Sequence, residues 1–137
     1  QYWDWCVTVG FYAAVHIIEY AIYAAPEVHK YRQKLLKQKL LGSANLPEVA
    51  GSQGIPPPEN IAWTNSTQHQ IRNSLVRENF KDISDEYLSL YRKSRAARYE
   101  CQKFDKDEID PLIIAPLRTI LDWSKRRFGT TLTLDLP

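Results

Sequence analysis

One stretch constrains this chain more than any other: Trp3 to Ala25, WDWCVTVGFYAAVHIIEYAIYAA. Wound as a helix, it is apolar on most of its circumference. Val7, Phe11, Ala14, Ile18 and Ile22 recur three or four residues apart and give one core stripe. Trp5, Val9, Tyr12, His16, Glu19 and Tyr23 give a second, apolar in body and polar at its tips, which suits an interface or a groove more than a dry core. A helix covered on two sides needs several partners, so the chain reads as an all-α bundle, with the second stripe (Trp5, Tyr12, His16, Glu19, Tyr23) available to a second copy of the chain. The stretch is long enough to span lipid. Asp4, His16 and Glu19 inside it, with its tyrosines, argue against that, so no membrane partner is expected.

Composition places the rest. A chain of 137 residues, 44% hydrophobic and 25% charged, falls in the globular range and can bury a core without staples. A net charge of +2 does not by itself demand nucleic acid, but its distribution is uneven. Lys30, Arg32, Lys34, Lys37 and Lys39 occupy residues 28–41 with no acid, and Arg92, Lys93, Arg95 and Arg98 occupy residues 92–98 likewise. Cys6 and Cys101 have neither metal-ligand nor redox spacing and read as small buried apolar groups, which implies a reducing, cytoplasmic setting. No signal-peptide pattern precedes the first helix.

Five helical segments follow from the periodicity, in one domain over 1–137. Pro26 stops the first helix or opens the second, Glu27–Leu41, which Gly42 ends. Residues 42–66 carry the Pro56-Pro57-Pro58 run and read as a long irregular loop between helices two and three. A third helix is expected over Thr67–Asn79. A fourth is expected over Ser84–Cys101, capped by Ser84, with Ile83, Tyr87, Leu90, Ser94, Ala97 and Cys101 as its core stripe. The last is expected to start with Asp110 as cap and Pro111 in its first turn, to be bent by Pro116, and to end at Gly129. Its buried face is Ile113, Leu117, Ile120, Leu121, Ser124 and Phe128. Residues 130–137 read as an extended tail.

Three separated pieces carry a family resemblance: Trp5–His16 (WCVTVGFYAAVH), His29–Arg32 (HKYR) and Tyr87–Tyr99 (YLSLYRKSRAARY). In this order they resemble the HEPN-type helical proteins, in the branch with an FYAA-x-H first helix. The resemblance implies an up-and-down bundle of four or five antiparallel helices that pairs into a homodimer. It also implies association with RNA or nucleotides, or with a partner protein in prokaryotic toxin–antitoxin and defence modules. Active nucleases of the family carry Arg-x(4–6)-His on one helix. The nearest string here begins at Arg72-Asn73, and Arg77 and Glu78 stand where the histidine would be. The expectation is therefore a non-catalytic binding protein. Its rival is a metal-independent endoribonuclease with a non-standard site built from His16, Arg72 and Arg98.

The remaining candidates each have a plain reading beside the functional one. His16 and Glu19 share a helix face: a positioned acid or base, or a half-buried imidazole satisfied by its neighbour. His29 and Arg32 open the basic second helix, as a phosphate grip or as ordinary first-turn packing. Arg92, Arg95 and Arg98 alternate with Tyr91 and Tyr99, which suits phosphate contact plus base stacking, or a solvated salt-bridged face. Asp105, Asp107, Glu108 and Asp110 lack the glycine-centred calcium-loop pattern and read as a solvated helix start. No metal or cofactor is expected.

Overall fold

The computed structural model describes the backbone of residues 2–41 and 65–129 and the side chains of residues 2–37 and 68–129. Every regular element among them is helical. These are α1 (Tyr2–Ala24), α2 (Pro26–Leu41), α3 (Asn65–Asn79), a 3₁₀ turn (Lys81–Ile83), α4 (Ser84–Tyr99), α5 (Lys106–Ile109), a π-helical turn (Asp110–Ile114) and α6 (Ala115–Phe128). The third helix begins two residues ahead of Thr67, at Asn65. The rest of the expected 42–66 loop and the 130–137 tail lie outside the described residues. The chain divides into two compact units, Gln1–Ala24 with Phe80–Pro137, and Ala25–Asn79.

The first unit is organised on α1, which packs along α4 and α6 and meets the π turn. Its core stripe is the expected one: Val7, Phe11, Ala14, Ile18 and Ile22 are wholly buried. The Phe11 ring lies 5.9 Å from that of Tyr87 and 5.7 Å from that of Tyr91 on α4. Removing such a ring costs about 3–5 kcal/mol. Ser94 on α4 and Ser124 on α6 are fully buried small residues on the packed faces, and neither hydroxyl has a hydrogen-bond partner among the described residues. Trp123, which the periodicity of α6 did not single out, is buried against Phe80 (5.0 Å) and Phe128 (5.6 Å), with Arg127 over all three rings. Phe128 is half-buried, not part of a fully buried face. By length and composition α1 is the one described helix able to cross a membrane, and 56% of its most apolar window is buried in the fold.

The last helix starts earlier than Asp110. Asp105 is the cap: its carboxylate accepts the N–H groups of Asp107 (3.0 Å) and Glu108 (3.1 Å), and the Glu108 carboxylate accepts that of Asp105 (2.9 Å). This capping box accounts for the acidic cluster and opens a helical run over 106–128 with Pro111 and Pro116 inside it. A proline lacks its N–H and crowds the carbonyl one turn back. The run widens between the two, and Ala115 N–H donates to the Asp110 carbonyl five residues away. That wide turn presses Ile113 against α1 at Gly10, where a β-carbon would collide with Ile113 Cγ2.

Three further residues depart from expectation. Ser84 does not cap α4. The 3₁₀ turn already leads into the helix, and the Ser84 hydroxyl instead donates to the Lys81 carbonyl at 3.2 Å. Cys101 is not in the core. The helix stops at Tyr99, Glu100 and Gln102 N–H groups both turn back to the Ala96 carbonyl, and Cys101 is exposed with φ of 55°. Cys6 is half-buried rather than buried. Gly129 ends α6 at φ 63° as expected, its N–H closing on the Lys125 carbonyl.

The second unit pairs α2 with α3. Val28 is buried on α2 and Ile71, Leu75 and Val76 on α3. The Tyr31 hydroxyl donates to the Glu78 carboxylate, a bond that raises the Tyr31 pKa because ionisation would break it beside a negative charge.

Two stability predictions follow. Gly10→Ala should lower stability by about 1–3 kcal/mol despite alanine's better helix propensity, and adding Ile113→Ala should cost less than the two single losses summed, measured as a thermal double-mutant cycle. Cys101→Gly should raise stability by about 0.5–1 kcal/mol, because glycine adopts the left-handed backbone without a β-carbon penalty. A lower melting temperature for Cys101→Gly would contradict this.

Candidate functional site

On α4, Tyr87, Leu90 and Ser94 face the core, and this rotates Arg92 and Arg95 to the surface with Arg98 half-buried beside them. Tyr91 and Tyr99 stand one turn to either side of Arg95, the spacing at which helical side chains meet. The Arg95 guanidinium lies 5.9 Å from the Tyr91 ring centre and 5.2 Å from that of Tyr99. Arg98 lies 5.0 Å from Tyr99 and 5.6 Å from Tyr12 on α1, and its Nη1 donates to the Tyr12 hydroxyl at 3.1 Å. Each exposed cation–π contact is worth about 0.5–1 kcal/mol. Their combined effect is to fix two otherwise flexible cations on rigid rings. Lys93 is held against the Ser89 hydroxyl, and burial, then the neighbouring Arg92 charge, lowers its pKa.

Beside this cluster an open groove of about 420 Å³ runs between the start of α1 and the end of α4, lined by Asp4, Trp5, Thr8, Ala97 and Arg98. Asp4 is fixed there because its Oδ1 accepts the Phe104 N–H at 3.0 Å. The Thr8 hydroxyl donates to the Asp4 carbonyl at 3.2 Å. The second stripe of α1 is the exposed one: Trp5 is 69% exposed, Tyr23 73% and Tyr12 37%, with His16 exposed and Glu19 half-buried. Asp4 and Thr8 were missed as groove residues. Their signal in the sequence was present but ambiguous, since Asp4 reads as a first-turn acid and Thr8 as a spacer until the Ala97 end of α4 is brought alongside.

The other sequence candidates belong to the second unit. Arg32 is half-buried on α2, in the second unit, so the phosphate-binding candidates are split between two units. His29 Nε2 accepts from Gln33 Nε2 at 3.3 Å. Arg72, also in the second unit, is 7% exposed and its Nη1 donates to His69 Nδ1 at 2.9 Å, one turn back on α3. Its neighbour Asn73 is 6% exposed with Oδ1 unpartnered among the described residues. His16 and Arg98 belong to the first unit and Arg72 to the second. The His69–Arg72 pair runs opposite to the Arg-x(4–6)-His order, with the histidine ahead of the arginine. Among the described residues no three His, Cys, Asp or Glu side chains gather as metal ligands would.

Compared with family models, curated proteins and solved structures, the chain matches none.

Proposed function

We propose that this is a non-catalytic, HEPN-like homodimeric protein that binds RNA or nucleotide through the basic, aromatic face of α1 and α4. The observation that carries the reading is the interleaving of Arg95 and Arg98 with Tyr91, Tyr99 and Tyr12 on an accessible surface. Guanidinium groups neutralise phosphates, and rings held beside them offer flat surfaces to unpaired bases. A solvated, salt-bridged face is the weaker account, since among the described residues these arginines are engaged with rings. The exposed tyrosine-rich stripe of α1 supports pairing with a second copy, because tyrosine, tryptophan and arginine are the residues that anchor interfaces.

A nuclease reading rests on one observation, the His69–Arg72 hydrogen bond. The burial of Arg72 tells against it, because a guanidinium that is 7% exposed is poorly placed to meet an incoming phosphate. A partner protein of a defence module fits the same α1–α4 face, and binding to no single strand at low salt would favour it.

Arg95→Ala with Arg98→Ala should weaken single-strand binding at low salt and flatten the dependence of log K on log salt by about 1.4, for two lost phosphate contacts. Filter binding across a salt series reads both, and an unchanged slope would remove the reading. Tyr23→Glu should convert a dimer to a monomer in light scattering by placing a charge in the pairing stripe. A parent protein that is already monomeric at micromolar concentration would remove the pairing.

A further inference from the structure

The groove at the start of α1 has walls of unlike chemistry. Trp5 presents an indole that is 69% exposed, and the cation–π contacts among the described residues fall on other rings. The neighbouring Tyr12, Tyr91 and Tyr99 rings each pair with Arg95 or Arg98. Trp5 therefore adds to this face a ring that stands clear of those cation–π pairs. Next to it stands a carboxylate, Asp4, pre-positioned by the Phe104 N–H. Arg98 completes the lining with a cation held by Tyr12.

A carboxylate accepts hydrogen bonds and donates none. Among the standard bases only guanine presents two adjacent donors in parallel, N1–H and N2–H₂, on its Watson–Crick edge. Adenine and cytosine offer one amine beside a ring-nitrogen acceptor, and uracil one N–H between two carbonyls, so each sets an acceptor against the carboxylate. That edge is free only when the base is unpaired. The geometry points to a recognition site for an unpaired guanine, stacked on Trp5, read by the Asp4 carboxylate, with its phosphate taken by Arg98. The inference rests on the nucleic-acid reading above and deepens it by naming the base. It also takes Trp5 out of the pairing stripe. Trp5 and Tyr23 are about 27 Å apart along α1 at 1.5 Å per residue, so groove and interface occupy different ends.

The test uses the full chain and four labelled uridine heptamers carrying G, A, C or U at the centre, read by fluorescence anisotropy, with GMP as unlabelled competitor. The G strand should bind about tenfold tighter than the other three, as expected for one two-donor base contact. Trp5→Ala should weaken the G strand by about tenfold through lost stacking. Asp4→Asn should bring the G strand down to the level of the others while leaving the all-uridine strand unchanged. A melting curve checks that Asp4→Asn is folded. If it is not, the four-strand ranking in the parent together with Trp5→Ala decides. Displacement by GMP identifies a free nucleotide as sufficient, and a G preference that GMP cannot compete identifies a base within a strand. Either supports the site. Equal binding of all four strands overturns the guanine site and leaves single-strand binding standing. No binding of any strand at low salt overturns both.

Discussion

The burial of the Phe11 stripe of α1 between α4 and α6 is the constraint from which the rest of the first unit follows. Val7, Phe11, Ala14, Ile18 and Ile22 leave water completely, and Phe11 does so against Tyr87 and Tyr91. At about 25 cal/mol per Å² of apolar surface removed from water, these side chains are a principal source of stability for the unit. Fixing that stripe inward leaves the opposite stripe of α1 outward, and the same rotation on α4 turns Arg92 and Arg95 to the surface. The candidate site is thus a by-product of core packing. Its residues are the ones the core did not take.

The contact is also tight enough to dictate irregularities elsewhere. Ile113 reaches α1 only because Gly10 has no side chain, and Ile113 sits in a π turn that two prolines bracket. Ser94 and Ser124 keep fully buried hydroxyls without partners among the described residues, an arrangement tolerated where a small side chain is needed for close helix approach. The left-handed backbone at Cys101, where glycine would be the usual residue, turns the chain off α4 so that Phe104 can lock Asp4. The groove therefore depends on the turn after α4 as much as on the helices that form its walls.

Much of this was legible in the residues. The α1 core stripe, the Tyr87–Leu90–Ser94 stripe, the Leu117–Ile120–Leu121–Ser124 face and the Gly129 stop are all periodic or capping signals, and local geometry alone enforces them. The misses have separate causes. Asp105 outcompetes Asp110 as a cap because its carboxylate and Glu108 can reciprocate, a spacing the sequence carries beside the competing Asp110-Pro111 signal. Ser84 loses its cap role to a preceding 3₁₀ turn. Cys101 continues the three-to-four spacing of α4, but hydrogen bonding to the Ala96 carbonyl ends the helix before it. Trp123 is off the periodic face of α6 and is buried by the Phe80 cluster, a contact between segments far apart in sequence.

The sequence by itself determined that the described chain is helical, which face of α1 is core, and that α4 carries arginines spaced with tyrosines. These are properties of a single helix, set by side-chain period and backbone propensity. Only the tertiary structure decided that Tyr12 of α1 meets Arg98 of α4 and that Asp4 is pinned by Phe104. Those contacts join residues roughly a hundred positions apart. No local pattern encodes them, because they arise from where packing sets one helix against another.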